Sequence, residues 1–185
     1  MTECGWAIDA NEQMQRYHAT EWGKETHDER LLFELLSLEM MQAGLSWQTV
    51  LNKRAAFQED FCNFEPQQVA NLTVADLAKL TTDARIIRNP QKINAIYHNA
   101  QLVVKLEQQG KSLDQILWGY VDGKPVVNHW RHPEEVPAQT ILSRRIAKDL
   151  KRLGFKFVGP TIIYSLLEAT GIVNDHLESC AHKYH

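Results

Sequence analysis

Two pairs of metal-ligating residue types stand at opposite ends of this 185-residue chain. Cys4 and His18 lie near the N-terminus, and His176 and Cys180 near the C-terminus. The second pair is spaced i, i+4, so on a helix both side chains share one face. Two thiolates and two imidazoles make a suitable tetrahedral set for structural zinc, closed and with no open position for chemistry. Most of the chain separates the two halves, so spacing alone leaves unrelated cysteines and histidines as the ordinary reading. His182 and His185 are rival ligands. Cys62 reads as a small buried apolar residue.

A carboxylate also stands where a core should be. Leu32, Leu35, Glu39 and Gln42 fall on one helical line, flanked by Leu36 and Ala43. An unpaired polar group buried on such a stripe costs roughly 2–7 kcal/mol. Either the stripe ends there and Glu39 reaches water, or Glu39 is a recognition carboxylate in a pocket wall. Gly44-Leu45-Ser46-Trp47 follows at once, a tight turn with an apolar tip and a large aromatic. Trp6, Tyr17 and Trp22 add aromatic surface. Aromatics with a carboxylate suit a flat, cationic or hydrogen-bonding base.

A third constellation is basic. Residues 84–106 hold Arg85, Arg88, Lys92 and Lys105 and no acid. They sit across a predicted helix, short turn and helix, with Asn89-Pro90 opening the second helix. A tight turn before a helix N-terminus offers N–H groups to a phosphate. The alternative is an ordinary helical hairpin with a solvated basic face.

The elements that must position these residues are helical. Thr26 to Glu29 reads as a capping box before an apolar run that ends at Gly44. One helix is predicted from Trp47 to Phe61, capped by Ser46. Short helices follow at 66–70 and 74–81, the latter capped by Thr73. A long helix covers about 91–109, and a short one 112–121. Gly123, Pro125, Pro133 and Pro137 mark 122–140 as a connecting loop. A basic amphipathic helix spans 143–153, residues 155–158 are short and extended, and a last helix opens at Gly159-Pro160 and stops at Gly171. The expectation is an all-α fold in one domain over residues 1–185.

Composition excludes several classes. Hydrophobic residues make up 44% and charged residues 23%, which is neither a disordered nor a membrane composition. No apolar run of about 18 residues exists, so no membrane partner or span is expected. The first ten residues hold Glu3 and Asp9 and lack an apolar core, which makes the cytoplasm the default location. Three cysteines cannot build a disulfide framework. Residues 1–40 carry three basic and nine acidic side chains, whereas residues 111–156 carry nine and five. A basic middle between acidic ends fits a local anion-binding face without a basic pI.

Together these stretches resemble the DNA-3-methyladenine glycosylase I family, a branch of the helix–hairpin–helix DNA glycosylases. The matching pieces are Cys4-Gly5-Trp6, the run from Tyr17 to Gly23, the run from Leu38 to Trp47, Ile86-Ile87-Arg88-Asn89, the run from Gly154 to Thr161, and the run from Gly171 to His176. They occur in the family's order and span nearly the whole chain.

The resemblance implies a base-excision repair enzyme acting as a monomer on alkylated double-stranded DNA, with 3-methyladenine as product. It implies a structural zinc on Cys4, His18, His176 and Cys180 that ties the termini together. It implies that Glu39 hydrogen-bonds the flipped base, that Trp47 stacks on it, and that Tyr17 and Trp6 complete the pocket with Gln42 beside Glu39. Gly44 and Leu45 match the turn beside the extruded nucleotide. The helix–hairpin–helix element is placed at about 74–109, with Arg85, Ile87, Arg88, Asn89 and Lys92 at the DNA backbone. Glu39 is the expected catalytic residue, acting mainly in recognition. No lysine matches a Schiff-base position, so a monofunctional glycosylase without lyase activity is expected.

Three departures from the family pattern carry consequences. Met14 replaces a pocket tyrosine. Ala19 stands where relatives hold an aspartate behind the zinc histidine, which removes support of His18. Arg85 stands where the hairpin has a glycine, so a positive φ there would be costly. The alternative function is a lesion-binding protein that does not cut the glycosidic bond.

Overall fold

A computed structural model describes residues 4–184; His185, one of the rival ligands, lies outside the described residues. The helices are α1 (Gly5–Ile8), α2 (Glu12–Thr20), α3 (Glu29–Gln42), α4 (Trp47–Leu51), α5 (Arg54–Asp60), α6 (Pro66–Val69), α7 (Val74–Leu80), α8 (Pro90–Gln108), α9 (Leu113–Trp118), α10 (Ile141–Leu153) and α11 (Pro160–Ala169). The chain is mostly helical, as the patterning predicts. The loop 122–140 adds what sequence did not show. Its strand β1 (Val126–Val127) pairs in parallel with β2 (Val173–Asn174), Val126 opposite Val173. This two-residue ladder is too short to leave an alternating pattern.

The centre is α3. Every residue from Leu32 to Met41 is buried, because α4, α8, α9 and α11 cover different sides of it. A helix buried all round must be apolar all round or carry partnered polar groups. Of the three polar exceptions, Ser37 donates to Phe33 O at 2.8 Å, and the two carboxyls, Glu34 and Glu39, need an explanation.

Three local expectations are corrected. The start of α3 is capped by Asp28, which accepts from Leu31 N at 2.7 Å, two residues beyond Thr26, the first residue of the predicted box. Glu29 instead turns to accept from the N–H groups of Leu113 and Asp114 at the start of α9. The predicted helix 47–61 is two helices. Lys53 N bonds to Val50 O, three residues back, and this tightening redirects α5 so that Phe57 is buried and Arg54 reaches Glu34. Residues 155–158 are bent rather than extended, with Phe157 at φ +54°. Asn99, buried in α8, clamps this bend: its amide donates to Lys156 O at 3.1 Å and its oxygen accepts from Lys156 N at 2.9 Å.

The segment placed at 74–109 forms α7, a connection over 81–89, and α8. Thr73 and Asp76 form the capping box of α7, and Asn89 caps α8 by accepting from Gln91 N and Lys92 N. Arg85 does not take a positive φ. The turn therefore differs from a glycine hairpin, and no backbone strain attends the arginine. A tighter helical hairpin is built by α10 and α11, joined over 154–159 through Gly154 at φ +103°. Those two helices pack extensively against each other.

Candidate active site and metal centre

At its C-terminal end α3 delivers Glu39 and Gln42 to a cavity of about 250 Å3. Trp6 from α1, Tyr17 from α2 and Trp47 from α4 wall it, together with Met14 and Trp22. The Tyr17 and Trp47 rings lie 5.4 Å apart, and Trp6 meets Trp22 edge-on at 5.1 Å. The predicted base-binding residues are thus brought together. Met14, where the family pattern has a tyrosine, fills part of the wall with a thioether.

Two polar groups in this wall lack partners. Tyr17 Oη and Trp47 Nε1 are both buried with no hydrogen-bond partner among the described residues. Such groups normally find one, so a cluster of exceptions marks a place that a ligand completes. Burial alone pushes the Glu39 carboxyl up to about 8. Burial, reinforced by Glu39, also raises Tyr17, which holds its phenol as a neutral donor. A cation entering this space would offset the desolvation of Glu39 and return it to the carboxylate.

The turn beyond α3 opens beside the cavity. Gly44 takes φ +85°, where an L side chain is strained, and Leu45 is left 44% exposed. Lys92 holds this turn from beneath. Its ammonium is buried and donates to Met41 O at 2.9 Å and Ala43 O at 2.7 Å, at the open carbonyl end of α3. Lys92 is therefore not part of a solvated basic face. Arg85 is also engaged, pairing with Asp83, Glu59 and Asp60 within 3 Å. Arg88 is exposed, while Ile87 and Asn89 are half-buried.

Sequence reasoning missed the fourth side of the cavity. Ser165 and Glu168 on α11 line it opposite α3. Their i, i+3 spacing on an otherwise apolar helix is the same signal that singled out Glu39 and Gln42.

The four Cys and His residues converge. Cys4, His18, His176 and Cys180 are all buried, with their ligand atoms within 4.8 Å of one another. Cys4 Sγ lies 3.6 Å from His176 Nδ1, and Cys180 Sγ lies 3.6 Å from His18 Nε2 and 3.3 Å from His176 Nδ1. Tetrahedral zinc with ordinary Zn–S and Zn–N lengths spaces S and N about 3.5 Å apart, so the donor set fits. His176 Nε2 donates to Trp22 O at 3.0 Å, which leaves Nδ1 as the ligand atom. His18 has no such support: its Nδ1 is buried without a partner, as the alanine at position 19 predicts. Burial holds both histidines neutral, each lowered to about 4, and pushes the Cys4 thiol up to about 12. Gly23 packs against the His176 ring, where a Cβ would sit 2.8 Å from it.

The cluster shares its walls with the cavity. Cys4 precedes Trp6, His18 follows Tyr17, and the His18 ring meets Trp6 edge-on at 5.0 Å and stacks on Trp22 at 5.9 Å.

Known proteins are similar to this chain in sequence and fold. A family model described as methyladenine glycosylase matches residues 6–184. DNA-3-methyladenine glycosylase 1 of Escherichia coli is 42% identical over 97% of this chain and 96% of its own. DNA-3-methyladenine glycosylase of Haemophilus influenzae is 37% identical over 97% and 96%. A Staphylococcus aureus structure on 3-methyladenine recognition by 3-methyladenine DNA glycosylase I superposes with a TM-score of 0.94, at 38% identity, over 100% of this chain and 98% of that one. With the match running the length of the fold, the chain belongs to the methyladenine glycosylase family.

Proposed function

We propose that this protein is a base-excision repair glycosylase that releases 3-methyladenine from alkylated double-stranded DNA. The observation that carries this reading is the aromatic cavity with two unpartnered donors and one desolvated carboxyl. An adenine alkylated at N3 within DNA is a cation. Stacked on Trp47 between aromatic walls, it meets the ring faces and the Glu39 carboxyl favourably. Neutral adenine offers no charge to offset the desolvation of Glu39, so the same wall disfavours it. Flipping a damaged, weakly paired base also costs less than flipping a normal one.

The reaction follows from the charge. The bond between the sugar carbon and the base nitrogen breaks, its electron pair neutralises the base, and water adds to the sugar with loss of a proton. The leaving group needs no protonation by the protein. Glu39 therefore acts in recognition of the cationic base. Among the described residues no lysine lines the cavity, so strand cleavage through a Schiff base is not part of the proposed reaction.

Gly44 and the exposed Leu45 wedge the duplex beside the extruded nucleotide. Arg88, with the backbone near Ile87 and Asn89, meets phosphate, as does the bend between α10 and α11. Zinc held by Cys4, His18, His176 and Cys180 supplies no chemistry; it ties the termini and braces Trp6 and Tyr17. The chain works as one domain and as a monomer, in the cytoplasm. Among the described residues no helix is long and apolar enough to cross a membrane.

The test is release of free 3-methyladenine from methylated duplex DNA by purified protein, with metal content measured on the same sample. Release, with 7-methylguanine left in place, is the expected result. No release from folded, metal-loaded protein overturns the assignment and favours lesion binding without excision.

A further inference from the structure

The charge of α10 has no part in the site described so far. From residue 136 to 167 the chain holds six cations and one acid, Asp149. One flank of the helix is neutralised. Asp149 meets Arg152 at 3.2 Å and accepts from the Tyr120 hydroxyl at 2.8 Å, and Arg145 lies over the Tyr120 ring at 5.4 Å. The other flank is not. Arg144, Lys148 and Lys151 are exposed and make no hydrogen bond or ion pair among the described residues. Their i, i+4, i+7 spacing sets them in one row about 10 Å long.

Helix stability does not account for this row. Arg144 closes the first turn, where the helix dipole favours an acid, and no acid stands there. Arg144 with Lys148, and Lys148 with Lys151, are like-charge neighbours that repel along the helix. Solubility is served by mixed signs rather than by one sign in a row. A row of fixed anions laid along the flank would relieve the repulsion. The sugar–phosphate backbone is such a row, with roughly one phosphate per 3.4 Å of axis on each strand. Continuity selects this partner. The helix runs through Gly154 into the bend that the proposed function sets against phosphate, and Lys156 is exposed on that bend. A lipid surface would need an apolar stripe beside the cations, and the stripe of α10, Ile146, Ala147 and Leu150, is buried in the core.

We infer that the flank of α10 formed by Arg144, Lys148 and Lys151 is a second DNA surface, which follows the phosphates of undamaged duplex beyond the bend. The inference rests on the function proposed above. Contacts of this kind carry no sequence information. They add affinity for any duplex long enough to reach the flank, and so let the protein hold and scan undamaged DNA around a lesion.

The experiment measures affinity by fluorescence anisotropy on two abasic-site duplexes, a short one that ends beside the lesion and a long one that continues on both sides. Wild-type protein should bind the long duplex more tightly. Arg144→Gln/Lys148→Gln/Lys151→Gln should lose that gain. On the long duplex it should lower the slope of log affinity against log salt by about 2.7, so that between about 50 and 200 mM salt the wild-type affinity falls about 40-fold further than the variant's. Lys111→Gln/Lys124→Gln/Arg131→Gln removes the same charge from other exposed positions and should follow wild type. An unchanged slope in the α10 variant would overturn the assignment, as would an equal fall in the control, which would make net charge the cause. If the triple variant fails to fold, Lys148→Gln alone should lower the slope by about one, and no change there overturns the assignment as well. Binding to phosphatidylserine vesicles that the α10 variant loses, with its DNA slope unchanged, would give the flank to a membrane instead. Wild-type protein that releases no 3-methyladenine and binds neither duplex would overturn the proposed function itself, whereas release with no effect of the α10 variant overturns only this surface.

Discussion

Glu34 and Glu39 are buried carboxyls on the same helix, five residues apart, and their surroundings are opposite. Glu34 accepts from Arg30 at 2.6 Å, from Arg54 Nε at 2.7 Å and from Gln58 at 2.8 Å, and Arg54 is held in turn by Glu21. Nothing comparable reaches Glu39, and desolvation alone acts on its carboxyl. Five residues turn an α-helix by well over a third of a revolution, so the two groups meet different neighbours. A partnered buried charge is a structural element. An unpartnered one is a cost that persists where something outside the protein completes it. The comparison separates scaffold from site on a single helix.

Substitution tests it from both sides. Glu39→Gln removes the group that responds to a cationic base, and excision should fall by about 100-fold or more, measured by single-turnover release of 3-methyladenine. Its effect on stability should have the opposite sign. The folded-state pKa is raised to about 8 from an ordinary 4.5. The protonated form is therefore favoured by folding, fully below pH 4.5, and that contribution is lost as pH rises through 8. Glu39→Gln should match wild type near pH 5 and exceed it above pH 8 by on the order of 4 kcal/mol in urea unfolding. Glu34→Gln should do the reverse, destabilising the fold by about 3–5 kcal/mol at neutral pH because it leaves Arg54 poorly compensated. A Glu39→Gln protein that unfolds like Glu34→Gln would erase the distinction.

The Cys/His cluster sharpens it further, because it packs against the cavity walls. Chelation, or Cys180→Ser, should cost several kcal/mol of stability, on the order of a structural metal's contribution. It should also change the fluorescence of Trp6 and Trp22, which pack on His18, before global unfolding. Restoring Asp at position 19 should raise metal affinity by roughly tenfold if it reaches the unpartnered Nδ1 of His18. Competition with a coloured chelator measures this.

Much of this was legible in the residues. Helical periodicity, Ser46, Thr73 and Asn89 as caps, and Gly154 as a stop all mark elements that local chemistry determines. Glu39 stood out because it interrupts an apolar line. The break at Lys53 was not legible, since it depends on Arg54 reaching Glu34 from another helix. The pairing of β1 with β2 depends on bringing residues 126 and 173 together. Glu168 was missed although its spacing from Ser165 repeats that of Glu39 and Gln42; a polar pair on an apolar helix is informative only when read on every helix. Joining the two ends of the chain required the family resemblance, because the Cys4/His18 and His176/Cys180 pairs are too far apart in sequence to share a spacing signal.

The cations extend the comparison at the smallest scale. Lys92 resembles Glu34: it is buried and donates to two carbonyls, so it shapes the turn that carries Gly44 and Leu45. Arg88 is exposed in the connection just before α8. Lys92→Met should weaken duplex binding by about 1–2 kcal/mol through the turn, while leaving the salt dependence of binding unchanged. Arg88→Ala should weaken binding less, and should lower the slope of log affinity against log salt by about one. Both are read by fluorescence anisotropy on an abasic-site duplex between low and moderate salt. If Lys92→Met also lowers the slope, its ammonium leaves the two carbonyls on binding DNA, and burial at position 92 would no longer separate a positioning cation from a contacting one.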